Sequence, residues 1–99
     1  MIYNPEEDSY LIKEQIRLYA KDKSCLDMGS GSGILAETCL KEGAKSVTAT
    51  DINPESINHL KNKFKHNKIK IIKSDLFDKV KDKFDLIIFN PPYLPQDDR

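Results

Sequence analysis

The chain alternates short apolar runs with amphipathic stretches, and this alternation restricts its fold more than any other feature. Four runs predict strands, at 24–28, 46–51, 69–74 and 86–89. Strands that alternate with helices indicate a parallel sheet with right-handed crossovers. The predicted order of elements is α-β-α-β-α-β-loop-β, and the last apolar run suits a strand that is buried on both faces.

The helices have clear starting signals. Asn4-Pro5 and Asn53-Pro54 each place a capping side chain before a proline, which suits the first turn of a helix. Apolar residues at helical spacing follow both signals and also follow Gly33. The predicted helices run from residue 5 to about 21, from 34 to 42, and from 54 to about 66.

Charge and composition exclude several classes of protein. The chain has 16 basic and 16 acidic residues, so its formal net charge is zero and no general attraction to nucleic acid or membrane is indicated. No apolar run approaches the length of about 18 residues that a transmembrane helix needs. The acidic N-terminus lacks the apolar core of a signal peptide. These features predict a cytoplasmic protein without membrane contact.

The cysteines and histidines do not form a recognisable site. Cys25 and Cys39 lack Cys-x-x-Cys spacing and favour buried thiols in a reducing compartment over a disulfide. His59 and His66 are separated by about 10.5 Å along a helix, too far to share one metal ion. We therefore interpret the histidines as surface residues and predict no metal site.

Each predicted strand ends near a polar side chain. Asp27 lies near the end of the first strand, and Asp51 ends the second. Asp75 follows the third strand, and Asn90 follows the fourth. The carboxyl ends of parallel strands meet at one edge of the sheet, where open α/β sheets bind their ligands. All four side chains are therefore expected at that edge.

A glycine loop, Gly29-Ser30-Gly31-Ser32-Gly33, joins the first strand to the second helix and lets backbone N–H groups approach a ligand. A dinucleotide fingerprint requires Gly-x-Gly-x-x-Gly, but Ile34 occupies the place of the third glycine. Carboxylates around the rim would also repel a pyrophosphate. They favour a ligand with positive charge beside a nucleoside, such as a sulfonium, with Asp51 on the ribose hydroxyls.

The fourth strand ends at Asn90-Pro91-Pro92-Tyr93, where two prolines prevent its continuation. The Asn90 side-chain oxygen and the backbone carbonyls can accept hydrogen bonds from both N–H groups of a planar amino group. The tyrosine ring can pack on the plane of that amino group. The alternative interpretation is a turn that only terminates the strand.

Together these motifs resemble class I S-adenosylmethionine-dependent methyltransferases. The resemblance is carried by residues 26–33, 50–54, 74–77 and 90–93. The opening segment, residues 3–9, is similar to the N-terminal signature of the short archaeal and eukaryotic branch of HemK-like glutamine methyltransferases. That family N5-methylates the glutamine of the Gly-Gly-Gln motif in class 1 peptide release factors. The resemblance implies a Rossmann-like parallel sheet with strand order 3-2-1-4, flanked by helices.

The resemblance also implies a role for each matching residue. S-adenosyl-L-methionine would be bound by Ser9, Asp27, Gly29, Gly31, Asp51, Asp75, Leu76 and Asn90. In the family pattern, the first carboxylate helps to hold the methionine ammonium, often through water, the second binds the ribose hydroxyls and the third accepts from the adenine amino group. The substrate amide would be oriented by the catalytic group Asn90, Pro91, Pro92 and Tyr93.

The chain departs from the family in its length. Methyltransferases of this class continue with further strands, whereas this sequence ends at Arg99, shortly after the fourth. Residues 1–99 are therefore predicted to be one incomplete methyltransferase domain, truncated after strand 4 and inactive alone. Its apolar edge would favour self-association or a second half-domain. The resemblance also implies a small zinc-binding activator, similar to Trm112, at the edge formed by strand 3.

Two other functions stay open at this point. One is methylation of an adenine or guanine amino group in nucleic acid, because nine lysines between Lys61 and Lys83, against three aspartates, offer a phosphate-binding face. A solvated helix with a charge-protected edge strand explains the same lysines. The other is a non-catalytic fragment that only binds the cofactor.

Overall fold

The structure is a computed structural model that describes residues 5–65, 68–75 and 78–89, with side chains from residue 11 onward. Within these residues the elements are α1 (Pro5–Tyr19), β1 (Ser24–Met28), α2 (Ile34–Lys41), β2 (Ser46–Asp51), α3 (Pro54–Lys63), β3 (Ile69–Lys73) and β4 (Leu86–Phe89). The element order and the strand bounds agree with the sequence prediction to within one residue. None of the described helices is long and apolar enough to cross a membrane.

The four strands form one parallel sheet in the order β3-β2-β1-β4, as predicted. Along β1 and β2 the pairing runs from Ser24 opposite Ser46 to Met28 opposite Thr50. On the other side of β1, Met28 is opposite Phe89 of β4. The carboxyl ends of the strands therefore lie along one edge, and β3 and β4 are the outer strands of the described sheet.

All three helices pack on the same face of the sheet. The buried cluster includes Ile16 of α1, Cys39 of α2 and Leu60 of α3. Alternate strand residues belong to this cluster or pack against it: Cys25, Val47, Ala49, Ile69, Ile71, Leu86 and Ile88. The reason is topological, because the chain steps in one direction from β1 to β2 to β3. Two right-handed crossovers in that direction place α2 and α3 on the same face.

The opposite face of the sheet carries the other alternate set of strand side chains. Leu26 in β1 is buried, whereas Ile87 and Phe89 in β4 are each 50% exposed. The connection from β3 to β4 returns in the opposite direction, and an ion pair between Lys70 and Asp82 (Nζ to Oδ2, 3.8 Å) joins it to β3. The prediction that β4 is buried on both faces was wrong, because no helix among the described residues covers this second face.

The start of α3 agrees with the sequence prediction, but its end does not. The Asn53 side chain caps the helix by accepting from the N–H two residues further on, at 2.8 Å. The helix ends at Lys63 rather than near residue 66, because Phe64 adopts an extended backbone and places its ring beside Gly33. The other two helices end within two residues of their predicted limits.

Cys25 in β1 and Cys39 in α2 are buried free thiols, as the sequence favoured. The hydrogen bond with Cys25, and then burial, raise the pKa of the Cys39 thiol above its ordinary value. The same hydrogen bond lowers the pKa of the Cys25 thiol, and both side chains belong to the buried cluster.

Candidate functional site

Two of the predicted carboxylates lie at the carboxyl edge of the sheet, beside the loop that follows β1. Asp27 is the penultimate residue of β1, and Asp51 is the last residue of β2. The Gly29 N–H and the Ser30 N–H both donate to the Thr50 carbonyl, at 2.9 and 2.8 Å. The start of the glycine loop is thus attached to the end of β2, which brings the loop and both carboxylates together.

The turn that begins at Ser30 has an open side and a closed side. The Gly33 N–H closes the turn by donating to the Ser30 carbonyl at 2.8 Å. Gly31 has a φ of 54°, and a Cβ at this position would meet nothing within 4 Å. A Cβ on Gly33 would lie 2.8 Å from atoms of both Leu60 and Phe64. Gly33 therefore permits the close approach of α3, and Gly31 leaves space where a ligand can reach the backbone.

The Asp51 carboxylate accepts hydrogen bonds from two backbone N–H groups, one in the glycine loop and one at the start of α3. Its Oδ2 accepts from the Gly31 N–H at 2.8 Å, and its Oδ1 accepts from the Asn53 N–H at 2.9 Å. The residue is half-buried. A carboxylate has about four acceptor positions, so both oxygens keep capacity for hydroxyl groups of a ligand.

The Asp27 carboxylate is completely buried, and neither of its oxygens has a hydrogen-bond partner in the described part of the chain. The Ser30 hydroxyl donates instead to the backbone carbonyl of Asp27, at 2.7 Å. Burial raises the pKa of Asp27 to about 6; the nearby Ser30 hydroxyl and Ala36 N–H lower it in part, and the charge of Asp51 raises it. An ionised Asp27 at neutral pH is thus a buried anion without a hydrogen-bond partner among the described residues.

The third predicted carboxylate, Asp75, is exposed just beyond β3, where its backbone carbonyl accepts from the Asp78 N–H at 3.1 Å. The preceding residue, Ser74, is buried. Its N–H donates to the Asp51 carbonyl at 3.0 Å, and its hydroxyl accepts from the Lys79 N–H at 3.0 Å. Ser74 therefore attaches the start of the β3–β4 connection to β2 and holds the backbone of Asp75 near the same edge.

Several predicted site residues lie outside the part of the chain that the structure describes: Leu76, Asn90, Pro91, Pro92 and Tyr93. Ser9 belongs to α1, but its side chain is also outside the described set. The predicted residues that the structure brings together are Asp27, Gly29, Gly31 and Asp51. In the described ranges, no group of three or more His, Cys, Asp or Glu side chains is placed to hold a metal ion.

Two residues of α3 contact the glycine loop although the sequence prediction gave them no role. His59 Nε2 lies 3.1 Å from the Ser32 carbonyl oxygen, and Lys63 Nζ lies 3.2 Å from the same oxygen. The i, i+4 spacing places both side chains on one face of α3. That spacing was visible in the sequence, but the position of α3 over the loop was not.

The geometry agrees with a known family. A family model described as methyltransferase small domain matches residues 8–98. The match extends over nearly the whole chain and includes the glycine loop and the carboxyl edge of the sheet. The chain therefore belongs to the methyltransferase small domain family, as the sequence motifs predicted.

Two of the matching relatives are named as glutamine methyltransferases. A relative from Methanocaldococcus jannaschii, provisionally named protein N5-glutamine methyltransferase, is 43% identical over 96 residues, which are 95% of this chain and 48% of the relative. The release factor glutamine methyltransferase of Streptococcus pneumoniae is 38% identical over 78 residues, which are 76% of this chain and 28% of that protein. The chain thus spans about half or less of the length of these relatives.

Solved structures have the same Rossmann-like arrangement. The ribosomal protein L11 methylase from Lactobacillus delbrueckii subsp. bulgaricus matches with a TM-score of 0.74 and 35% identity, over 85% of this chain and 46% of that one. A protein from Pyrococcus horikoshii, provisionally named RNA methyltransferase, matches with a TM-score of 0.75 and 26% identity, over 90% of this chain and 47% of that one. The prediction of a parallel methyltransferase-type sheet is confirmed.

Proposed function

We propose that the chain binds S-adenosyl-L-methionine at the carboxyl edge of its sheet. The observation that carries this proposal is the buried Asp27 carboxylate without a hydrogen-bond partner among the described residues. An unpaired buried charge is costly, and a ligand ammonium, often through a bridging water, supplies the missing partner. Beside the same loop, Asp51 retains acceptor capacity for ribose hydroxyls. A ligand that carries an ammonium group and a ribose fits this donor and acceptor set.

The remaining cofactor contacts follow from the resemblance to methyltransferase motifs. Gly29 and Gly31 let the ligand approach the backbone, and the open side of Gly31 supports this role. Asp75 accepts from the adenine amino group, the Leu76 N–H addresses a ring nitrogen, and Ser9 lies near the methionine end. When bound, the cofactor supplies a methyl group that is attached to a sulfonium sulfur. The sulfur is a good leaving group because it departs as a neutral thioether. The protein's part is to bind and orient.

The methyl acceptor in this proposal is the side-chain amide nitrogen of glutamine in the Gly-Gly-Gln motif of a class 1 peptide release factor. The names of the relatives from M. jannaschii and S. pneumoniae support this choice. The Asn90 side-chain oxygen and the Pro91 carbonyl accept hydrogen bonds from the two amide N–H groups, and Pro92 and Tyr93 shape the slot. An amide nitrogen is a poor nucleophile because its lone pair is delocalised, so positioning supplies most of the acceleration. The substrate implies a cytoplasmic location.

In this proposal, residues 1–99 are the N-terminal part of a methyltransferase domain that is complete only with further elements. The M. jannaschii relative is about twice as long as the matched segment. β4 is an outer strand of the described sheet, so its outer backbone edge can pair with another strand, and its half-exposed Ile87 adds apolar surface on the open face. Self-association or a second half-domain would cover that edge. A small zinc-binding activator protein would dock at the β3 edge.

Binding of S-adenosylhomocysteine to the 99-residue chain, measured by calorimetry, tests the cofactor site. Asp51→Ala should weaken binding about tenfold or more, because hydrogen bonds to a charged group are worth about 1.5–3 kcal/mol. Asp82→Ala is the matched control, since this carboxylate lies in the β3–β4 connection and contacts Lys70 of β3. Equal affinity of the wild type and Asp51→Ala would remove the ribose assignment.

The substrate is tested with the full-length gene product, radiolabelled S-adenosylmethionine and two acceptors. A class 1 release factor should be labelled, and a release factor with Gln→Ala in its Gly-Gly-Gln motif should not. Total RNA from the same source is the competing acceptor. Labelling of RNA without labelling of the release factor would retain the cofactor site and replace the substrate with a nucleobase amino group.

A further inference from the structure

We propose that His59 and Lys63 of α3 are positioning residues for the cofactor loop. This inference rests on the proposed cofactor binding and concerns two side chains outside the carboxylate and glycine motifs. Both lie within hydrogen-bond distance of the Ser32 carbonyl oxygen, at 3.1 Å and 3.2 Å. A carbonyl oxygen only accepts, so the His59 Nε2 carries the hydrogen in this contact.

The peptide group between Ser32 and Gly33 is held on both sides. Its carbonyl accepts from the two α3 side chains, and its N–H, on Gly33, donates to the Ser30 carbonyl at 2.8 Å. The peptide group is planar, so contacts at both ends determine its orientation. That orientation controls where the turn places Gly31, whose N–H donates to Asp51.

α3 is connected to Asp51 through its other end as well. The Asn53 N–H, at the start of the helix, donates to Asp51 Oδ1 at 2.9 Å. His59 and Lys63 contact the loop further along the same helix. A single rigid element therefore sets the relative position of Asp51 and the glycine loop, the two parts that the proposed cofactor must contact together.

The Lys63 ammonium is held in place by two further contacts. Its Nζ lies 3.4 Å from Glu37 Oε1 in α2 and 5.5 Å from the centroid of the Phe64 ring. These contacts restrict a side chain that is flexible when fully solvated. Lys61 on the same helix is exposed and makes no comparable contact with a described residue, so it provides a matched control.

The affinity of the 99-residue chain for S-adenosylhomocysteine tests the proposal. His59→Leu and Lys63→Met each remove one donor to Ser32, and each should weaken binding about two- to tenfold, with a larger loss in the double variant. Lys63→Arg keeps a cationic donor and should bind within about twofold of the wild type. Lys61→Met should bind like the wild type. Unchanged affinity of the double variant, or an equal loss in Lys61→Met, would overturn the proposal.

Amide hydrogen exchange without ligand gives a second readout that does not depend on cofactor binding. The Gly31 and Gly33 amides should exchange faster in the double variant than in the wild type, whereas the amides of β1 should be unchanged. Equal acceleration throughout the chain would mean that the two residues contribute only to global stability and would overturn the proposal. If the wild type binds no S-adenosylhomocysteine, the cofactor proposal fails, and the exchange rates still decide the positioning role.

Discussion

The buried carboxylate of Asp27, near the end of β1, should make the stability of this chain depend on pH. The pKa of Asp27 is raised by burial to about 6, from an ordinary value of 3.8. Between these values the folded chain retains a proton that the unfolded chain has released. The contribution of Asp27 to stability is therefore present at low pH and is lost as the pH rises through this interval.

Replacement of Asp27 should expose this dependence. Relative to Asp27→Asn, the wild type should lose roughly 3 kcal/mol of unfolding free energy between pH 3.8 and pH 7, because a shift of one pKa unit corresponds to about 1.4 kcal/mol. Urea denaturation of both chains at several pH values measures the difference. Parallel pH profiles would contradict it. At pH 7, S-adenosylhomocysteine should stabilise the wild type much more than Asp27→Asn.

At the residue scale, the sequence predicted the chemical types at the site but not all of their contacts. Asp27, Asp51 and the glycines could be recognised because each lies at or just beyond the carboxyl end of a strand, where parallel sheets bind ligands. The contacts of His59 and Lys63 with the loop could not, because they depend on how α3 lies over it. An exposed i, i+4 pair of polar residues occurs on many helices without such a role.

At the scale of elements, two glycines in the same loop should respond differently to the same substitution. Gly33→Ala should destabilise the chain by about 2–4 kcal/mol, since a positive φ disfavours alanine and its Cβ would collide with Leu60 and Phe64. Gly31→Ala shares the positive φ but has open space, so it should cost only about 1 kcal/mol. Chemical denaturation of both variants measures the difference.

The same two glycine variants distinguish an effect on the stability of the fold from an effect on cofactor binding. Gly31→Ala places a methyl group on the open side of the loop, so it should weaken S-adenosylhomocysteine binding more than it weakens the fold. If Gly31→Ala binds as tightly as the wild type, the cofactor does not approach the backbone on this side.

The β4 edge should make the 99-residue chain self-associate. Ile87 and Phe89 are half-exposed on an outer strand, and exposed apolar edges favour pairing with another chain. Ile87→Lys should shift the protein toward monomer in sedimentation velocity, because a charge on this face opposes pairing. Leu18→Lys is the control, since Leu18 is also exposed, at 70%, but lies on α1. A monomeric wild type at high concentration would contradict this expectation.

Element positions were predictable because apolar spacing and capping signals are local. The end of α3 was less predictable, since the contact of Phe64 with Gly33 is tertiary. The exposure of β4 was predicted wrongly for a similar reason. The run Leu86–Phe89 has the composition of a strand that is covered on both faces of the sheet. The composition of a strand does not show which other residues cover each face.

At the scale of the whole molecule, the proposed substrate slot can be tested only in the complete protein. Asn90→Ala should reduce turnover on the release factor by about 10²–10³, the usual loss for one group that acts in the transition state. The affinity for S-adenosylhomocysteine should change much less, because the carboxylates and the glycine loop remain. Single-turnover kinetics and calorimetry on the same preparation measure both effects. Near-normal turnover would show that the slot lies elsewhere.

The placement of all three helices on one face has a consequence for biosynthesis. α2 and α3 each connect strands that are neighbours in both the chain and the sheet, so this layer forms from contacts close in sequence, which favours fast folding. In the M. jannaschii relative the matched segment is 48% of the protein, so at about 5–20 residues per second a ribosome needs roughly 5–20 s to add its other half. Under the proposal that further elements complete the present domain, we expect Ile87 and Phe89 to be the surface that chaperones recognise before those elements fold.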